Sequence, residues 1–223
     1  MTGVRDVLVL APHPDDEVIG CGGSIAAHAA NGARVTVVVV VERERSGFDD
    51  DVTDEEFAQE TADACAVLGV SRCVRLDEPS RDLRSSRRLH LDVVRALRET
   101  RPQVVYLPHD NDDDVEHRAV HRLGVEALWM AQSSFFGEAG EPMSAPELVL
   151  GYEVWSPLAR FQHVRDIGEH LEAKVAAMGC YRSQLAHARW DEGVRGLASY
   201  RGVLTSGGGH AEVFQVLQVA ARG

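Results

Sequence analysis

The sequence predicts an α/β protein with a Rossmann-like, mostly parallel sheet and helices on both faces. Short apolar runs alternate with segments of helical periodicity, which is the pattern of β-α-β units. A chain of 223 residues, of which 44% are hydrophobic, has the size of one globular domain. We therefore expect residues 1–223 to form a single domain whose less regular last third elaborates the C-terminal end.

The first strand-helix-strand unit is the clearest. Val4–Ala11 is an apolar run that ends at a proline, which is typical of a buried parallel strand. Ile19–Ala30 is rich in alanine and stops at Asn31-Gly32, so it predicts a helix. Arg34–Val41 ends in consecutive valines and predicts the second buried strand.

Similar units follow along the chain. Glu42–Asp54 is polar and acidic and predicts a loop, and its last residues, Thr53-Asp54, have the pattern of a helix N-cap. Glu56–Leu68 then has helical periodicity, and Arg72–Leu76 predicts the third strand.

The remaining predicted elements become less regular toward the C-terminus. Leu89–Thr100 and Glu116–Ala131 predict helices, and Gln103–Leu107 between them predicts the fourth strand. In the last third, Leu148–Trp155 predicts a strand and Ile167–Tyr181 predicts a helix.

The loop Ser134–Pro146 is rich in glycine, serine and proline, and we expect it to be a lid or a boundary. Phe135 and Phe136 in this loop have two interpretations. They form either a contact between copies of the chain in a homo-oligomer or a lid packed over a pocket.

The composition argues against several classes of partner. A net charge of −12 disfavours binding to nucleic acid or to an anionic membrane surface. We find no apolar run of about 18 residues that would span a membrane, and no secretory signal pattern, so we expect a cytoplasmic protein. Four cysteines without a C-x-x-C pair are expected to be reduced core residues: Cys21, Cys65, Cys73 and Cys180.

The loop after the first predicted strand, Pro12–Glu17, reads PHPDDE. Two prolines restrict the backbone around His13, which therefore stands beside paired carboxylates in a rigid loop. One aspartate can bind a metal ion together with the histidine while the other stays available for proton transfer; a solvated acidic loop that caps the next helix is the alternative. Gly20, Gly22 and Gly23 lack the spacing of a dinucleotide fingerprint and favour close packing of that helix on the sheet.

The loop after the fourth predicted strand carries a second polar cluster. Ligands of open α/β sheets bind at the carboxyl ends of strands near the switch point of strand order, so we expect the two loops to meet. His117 is in the first turn of the following helix and can complete a site of two histidines and one carboxylate, for which zinc is expected and iron(II) is possible. Asp114 complements the helix dipole. His121 is a packing residue or a joint ligand with His117, and His109 lines the pocket.

These residues resemble the LmbE-like, or PIG-L, N-acetylglucosaminyl deacetylases. The family signature P-H-P-D-D-E is intact at Pro12–Glu17, and Asp114–Val120 matches in part its second motif, H-P-D-H-R-A-V. Tyr152–Pro157, Tyr181–Gln184 and Ala211–Phe214 are similar to later blocks of the family. The resemblance covers nearly the whole chain.

The resemblance implies a role for each of five residues. His13, Asp16 and His117 would bind zinc, and Asp15 would be the general base that takes a proton from the attacking water. Asp82 falls where family members hold sugar hydroxyls, so it is expected to bind substrate.

Two positions depart from the family pattern. Asp114 stands where the family has a histidine that helps to stabilise the oxyanion or acts as an acid. A protonated Asp114 would fill this catalytic role with a pKa raised well above about 4; otherwise Asp114 holds a neighbouring group, and His109 or His121 substitutes. Phe57 stands near a substrate-binding arginine of many members, which favours a less anionic or more hydrophobic substrate.

The function predicted from these residues is zinc-dependent deacetylation of an N-acetylated amino sugar or small glycoside, in natural-product or thiol biosynthesis. Two alternatives remain. The protein is an amidase of a thiol-conjugate-like small amide, or it is a metal- or sugar-binding protein with little activity. The intact base and ligand set argue against the second alternative.

Overall fold

The computed structural model describes residues 3–42 and 52–219. Its strands are β1 (Asp6–Ala11), β2 (Arg34–Val41), β3 (Arg72–Glu78), β4 (Val104–Pro108), β5 (Leu148–Tyr152), β6 (His163–Asp166) and β7 (Ala211–Val219). Its helices are α1 (Asp16–Ala30), α2 (Asp54–Leu68), α3 (Arg87–Thr100), α4 (Val115–Gln132), α5 (Leu171–Met178), α6 (Arg182–Leu185) and α7 (Trp190–Ser206). The strands of this part of the chain form one sheet in the order β3-β2-β1-β4-β5-β7-β6.

The order of the strands reverses between β1 and β4. β1 pairs in parallel with β2 and with β4, and the outer pairs β2–β3 and β4–β5 are also parallel. β7 and β6 add two antiparallel strands beyond β5. The predicted mostly parallel sheet is confirmed, and a ligand crevice is expected at the carboxyl ends of β1 and β4.

The sheet separates two hydrophobic cores. Val7 and Val9 of β1 face the core that contains α1, α2 and α5, whereas Leu8 and Leu10 face the core that contains α3 and α4. The alternation follows from the pleat of a strand, in which successive side chains point to opposite faces. Helices therefore cover both faces, as predicted.

The elements of the first two thirds lie close to their predicted positions. Arg34–Val41 is a strand with the predicted bounds. α1 begins at Asp16 rather than at Ile19, because acidic residues are favoured in the first turn by the helix dipole. Thr53 caps α2 as predicted, since its hydroxyl accepts a hydrogen bond from the N–H of Glu56. Most of the predicted acidic loop 42–54 lies outside the described residues.

The last third agrees less well with the prediction. The expected helix Ile167–Tyr181 is a 3-10 turn, Gly168–His170, followed by the shorter α5. α6, α7, β6 and β7 were not predicted as elements. α7 contains three glycines, which lower helix propensity, and β6 has only four residues.

Glycines let α1 approach its neighbours closely, as the sequence predicted. A Cβ at Gly20 would lie 2.1 Å from the Tyr152 ring of β5, and a Cβ at Gly23 would lie 2.7 Å from Ile167. No side chain fits in either place without a shift of these neighbours.

A buried ion pair is inserted into the backbone of α1. The helix is kinked at Cys21, whose φ of −148° is not helical. The N–H of Gly23 and the C=O of Ile19 pair with each other in a regular helix; here they bind Glu212 (2.9 Å) and Lys174 (2.9 Å). Lys174 Nζ lies 2.6 Å from Glu212 Oε1, so α5 and β7 are tied to the helix that opens with the PHPDDE loop.

The predicted lid Ser134–Pro146 lies at the wrong end of the sheet. The segment joins the C-terminal end of α4 to the start of β5, whereas the crevice opens at the carboxyl ends of the strands. Arg98 of α3, which is 4% exposed, binds the carbonyl oxygens of Phe136 and Gly140 and holds the segment there. The lid prediction is therefore wrong. Phe135 is 81% exposed, and a contact between copies of the chain stays a prediction.

The prediction of four core cysteines is confirmed in part. All four thiols are free, and Cys21 and Cys65 are buried, but Cys180 is half-buried and Cys73 is exposed on the edge strand β3. Among the described residues, no helix combines the length and the hydropathy needed to cross a membrane.

Substitution of Lys174 by methionine is expected to lower the free energy of unfolding by about 3–5 kcal/mol, because it leaves the Glu212 carboxylate buried without its cation. Equilibrium unfolding in urea measures this change. Arg195→Ala, which breaks the exposed Arg195–Glu172 pair, is the control and is expected to remain close to wild type. Equal shifts in the two variants would contradict a special role of the buried pair.

Candidate metal centre

Three side chains from two loops converge at the switch point. His13 follows β1, Asp16 opens α1, and His117 lies in the first turn of α4, directly after the loop that follows β4. His13 Nδ1 is 3.2 Å from His117 Nε2, and Asp16 Oδ2 is 3.3 Å from His13 Nδ1 and 3.2 Å from His117 Nε2. One atom of each side chain thus faces a common point.

The cluster is buried and charged. Asp16 is 1% exposed and His117 is fully buried. Burial raises the pKa of Asp16, but His117 and His13 outweigh burial and hold this pKa below its usual value. Burial lowers the pKa of His117, but Asp16 and Asp112 raise it to about 10. The positive charge of a protonated His117 therefore neutralises the Asp16 carboxylate. A bound metal cation would replace that proton and neutralise the same carboxylate.

The donor set fits a divalent transition-metal ion. The three donor atoms all lie within 4.8 Å of one another. Zinc ligands about 2.1 Å from the ion stand roughly 3.4 Å apart in tetrahedral geometry, close to the separations of 3.2 and 3.3 Å in the cluster. Two histidines and one carboxylate also leave coordination positions open, which is typical of a catalytic site.

Each histidine has a carboxylate behind it. His13 Nε2 lies 2.8 Å from Glu116 Oε2, and His117 Nδ1 lies 3.1 Å from Asp112 Oδ1. Such carboxylates orient the imidazoles and raise their basicity as ligands. These roles were not predicted, although both carboxylates lie within the second polar cluster, close in sequence to His117.

Asp112 also joins two loops at the floor of the site. Its Oδ2 accepts hydrogen bonds from the N–H groups of Trp155 (3.0 Å) and Ser156 (3.1 Å), which follow β5. Its Oδ1 accepts from the N–H of Asp114 at 3.0 Å. The carboxylate that orients His117 is therefore fixed by three backbone donors.

Asp15 adopts a strained backbone conformation beside the cluster. Its φ of +100° lies in the left-handed region, which costs a non-glycine residue roughly 1–3 kcal/mol. The N–H of Asp15 donates to Glu17 Oε2 (3.1 Å), and the Tyr181 hydroxyl donates to Glu17 Oε1 (2.6 Å). Burial raises the pKa of Glu17 to about 7. These contacts stabilise the strained backbone of Asp15, which directly precedes the proposed ligand Asp16.

Asp114 is an anionic N-cap in the structure. Its Oδ1 accepts the N–H of Glu116 at 2.7 Å, and its Oδ2 accepts from Arg81 Nη1 at 2.8 Å. Burial raises the pKa of Asp114, but the bonds to Arg81 and to the Glu116 N–H outweigh burial and lower it. The geometry favours the alternative in which Asp114 holds a neighbouring group, and that group is Arg81.

His109 and His121 bind the protein rather than the cluster. His109 is 2% exposed; its Nε2 donates to the Ser156 carbonyl (2.8 Å), and its Nδ1 accepts from the Asn111 N–H (3.1 Å). His121 Nδ1 donates to the Pro108 carbonyl at 2.8 Å, as expected for a packing residue. Neither ring belongs to the three-residue cluster, although His109 Nε2 lies 3.7 Å from Oδ2 of Asp112, the carboxylate that contacts His117.

The two expected substrate determinants on other elements differ in exposure. Asp82 lies on the loop after β3, beside Arg81, and its carboxylate is 59% exposed and paired with Arg84. Phe57 is 7% exposed in the first turn of α2, so its ring is packed inside the protein.

Two tryptophans, which the sequence patterns did not assign to the site, form an apolar rim. The Trp155 ring lies nearly parallel to the His117 ring, at 12°, with a centroid distance of 6.3 Å. The Trp190 ring meets Trp155 edge to face at 4.9 Å. Trp155 remains 42% exposed, so an apolar surface adjoins a proposed metal ligand.

The fold and the cluster together define a class of protein: an α/β protein in which two histidines and one aspartate that could hold a metal ion meet at the switch point of the sheet. Residues 8–128, just over half of the chain, match the PIG-L family, described as GlcNAc-PI de-N-acetylase. The chain belongs to this family, and the resemblance inferred from its motifs is confirmed.

Similar proteins include two sugar deacetylases. Diacetylchitobiose deacetylase of Thermococcus kodakarensis is 28% identical and aligns with 94% of this chain and 82% of its own. The 1D-myo-inositol 2-acetamido-2-deoxy-alpha-D-glucopyranoside deacetylase of Thermomonospora curvata is also 28% identical, with 82% of each chain covered. GalB, the 4-carboxy-2-hydroxymuconate hydratase of Pseudomonas putida, superimposes with a TM-score of 0.86 over 98% of each chain at 24% identity, which shows the fold alone.

The substitutions Asp112→Asn and Glu116→Gln are each expected to weaken zinc binding roughly 10- to 100-fold, because each removes the charge that orients a histidine. Competition with a chromogenic chelator measures the affinity. Asp113→Asn is the matched control, since Asp113 lies in the same loop and is exposed. The assignment fails if all three variants bind zinc like wild type.

Proposed function

We propose that this protein is a metal-dependent N-deacetylase of an N-acetylated amino sugar or small glycoside. The observation that carries this proposal is the convergence of His13, Asp16 and His117, next in the chain to Asp15, a buried aspartate with a strained backbone. Zinc is the proposed metal, with iron(II) as the alternative. The free thiols of the chain fit a reducing compartment, and we place the enzyme in the cytoplasm.

The sugar substrate is supported by two lines of argument. The similar deacetylases named above act, by their names, on N-acetylated glucosamine compounds. The exposed ring of Trp155 next to His117 offers an apolar surface against which the C–H face of a pyranose can pack. Asp82, on the neighbouring loop, is proposed to bind sugar hydroxyls.

The proposed mechanism assigns proton transfer to Asp15. When bound, a divalent ion acts as a Lewis acid on the acetamide carbonyl and lowers the pKa of water. Asp15 takes a proton as water adds to the carbonyl carbon, and returns it to the amine nitrogen as the C–N bond breaks. Acetate and a free amine are the products. Glu17 and Tyr181 keep Asp15 in position, while Asp112 and Glu116 hold the histidines.

The Asp15→Asn variant is expected to retain its metal but to lose most of its turnover, by roughly 10²- to 10⁴-fold, because an amide cannot accept the proton. Elemental analysis measures the metal, and acetate release from N-acetylglucosamine and N,N′-diacetylchitobiose measures activity. His117→Ala is expected to lose both the metal and the activity.

These measurements also separate the alternatives. A metal-containing wild type that cleaves only acylated thiol conjugates is an amidase of another substrate class. One that binds sugars without releasing acetate is a binding protein. A wild-type rate in Asp15→Asn would remove Asp15 from the mechanism.

Trp155→Ala is expected to raise KM for diacetylchitobiose about tenfold with little change in kcat, because it removes an apolar contact of roughly 1 kcal/mol or more to the sugar ring. Trp155→Phe should recover part of the loss. Phe135→Ala, at the other end of the sheet, is the control. An unchanged KM in Trp155→Ala would argue against a sugar at this rim.

A further inference from the structure

Arg81 is joined to the first turn of α4 at two points. Its guanidinium Nη1 donates to Asp114 Oδ2 at 2.8 Å, and its backbone N–H donates to Glu116 Oε1 at 2.6 Å. The same Nη1 lies 3.7 Å from Glu116 Oε2, the atom that is 2.8 Å from His13 Nε2. A single carboxylate therefore stands between the guanidinium and a proposed metal ligand.

The backbone of Arg81 is strained. Its φ of +59° lies in the left-handed region, where a non-glycine residue is uncommon and costs of order 1 kcal/mol or more. The N–H bond to Glu116 and the side-chain bond to Asp114 are two contacts that stabilise this conformation. Strain maintained by two charged partners is typical of a side chain that is positioned for a function.

The negative charges around the cluster favour a cation near the reacting carbonyl group. Asp112 and Glu116 contact the two histidines, and Asp114 caps the helix that carries His117, in addition to Asp15 and Asp16. Negative charge that develops on a carbonyl oxygen during hydrolysis is repelled by these carboxylates. The Arg81 side chain is 49% exposed, so the guanidinium is accessible to a ligand while it stays paired with Asp114.

We propose that the Arg81 guanidinium binds the anionic oxygen of the acyl group during hydrolysis, and that Asp114 is the residue that positions it. This inference rests on the proposed function. The guanidinium supplies a fixed positive charge and a donor fork suited to an oxyanion. Asp114 acts through Arg81 and does not itself exchange a proton with the substrate.

A purely structural role for Arg81 gives different expectations. If the guanidinium served only to neutralise Asp114, its removal would lower stability or metal content and would leave the affinity for anions unchanged. The test therefore needs kinetic and binding measurements on variants whose zinc content equals that of wild type.

The first measurement is steady-state acetate release by zinc-loaded variants. Arg81→Asn removes the guanidinium and keeps a residue that tolerates a left-handed backbone. It is expected to lower kcat roughly 10²-fold with KM nearly unchanged, which is the effect of removing one oxyanion donor. Arg81→Lys should retain part of the rate, and millimolar guanidinium chloride should partly rescue Arg81→Asn. Arg87→Ala, whose exposed side chain pairs with Glu138, is the control and should match wild type.

A double-mutant cycle tests the role of Asp114. Asp114→Asn is expected to lose less activity than Arg81→Asn, and the double variant is expected to equal Arg81→Asn, because Asp114 works through the arginine. Losses that multiply in the double variant would overturn the positioning role.

The second measurement does not depend on turnover. Methylphosphonate is a tetrahedral anion, and calorimetric titration of the zinc-loaded protein should show about tenfold weaker binding to Arg81→Asn than to wild type or Arg87→Ala. If wild type cleaves no N-acetyl sugar but this difference is found, the proposed substrate is wrong and the anion site stands. Equal affinities, or a wild-type kcat in Arg81→Asn, overturn the inference.

Discussion

The site depends on one buried carboxylate, that of Asp16. A charged group that is 1% exposed is stable only if it is paired and hydrogen-bonded, and here two imidazoles provide the pairing. One of these, His117, comes from the far side of the switch point, so β1 and β4 must be neighbours for Asp16 to be buried at all. The adjacency of these two strands is therefore both a topological feature and an electrostatic requirement.

The surrounding contacts hold this arrangement rigid. Asp112 and Glu116 contact the second nitrogens of the two histidines, and backbone donors fix Asp112 in turn. Glu17 accepts a hydrogen bond from the N–H of Asp15, whose backbone is strained. The Lys174–Glu212 pair binds the backbone of α1 and fixes this helix to α5 and β7. The only lysine of the chain, Lys174, forms this pair. Burying its charge costs desolvation energy, which the bonds to Glu212 and to the Ile19 carbonyl offset.

Local sequence patterns predicted the fold correctly where the periodicity of a segment agrees with the secondary structure that it adopts. The valine run Arg34–Val41 and the alanine-rich α1 read correctly because parallel strands and packed helices have strong periodic signals. β6 and α7 were missed because a four-residue strand and a glycine-containing helix are stabilised by tertiary contacts. The proposed ligands His13, Asp16 and His117 come together as expected, but the partners of His109 and Asp114 depend on loops that only the folded chain brings together.

The fold alone does not determine the reaction. A hydratase shares this architecture at a TM-score of 0.86, so the function has to be argued from the side chains at the switch point. In this chain Asp114 places a negative charge at the position where the family pattern has a histidine that helps to stabilise the oxyanion. The pair with Arg81 offsets this charge, because the Asp114 carboxylate is bonded to the cation that we propose binds the substrate oxygen. The aspartate that replaces the family histidine at position 114 therefore belongs with Arg81: the two residues form one ion pair at the N-terminus of α4.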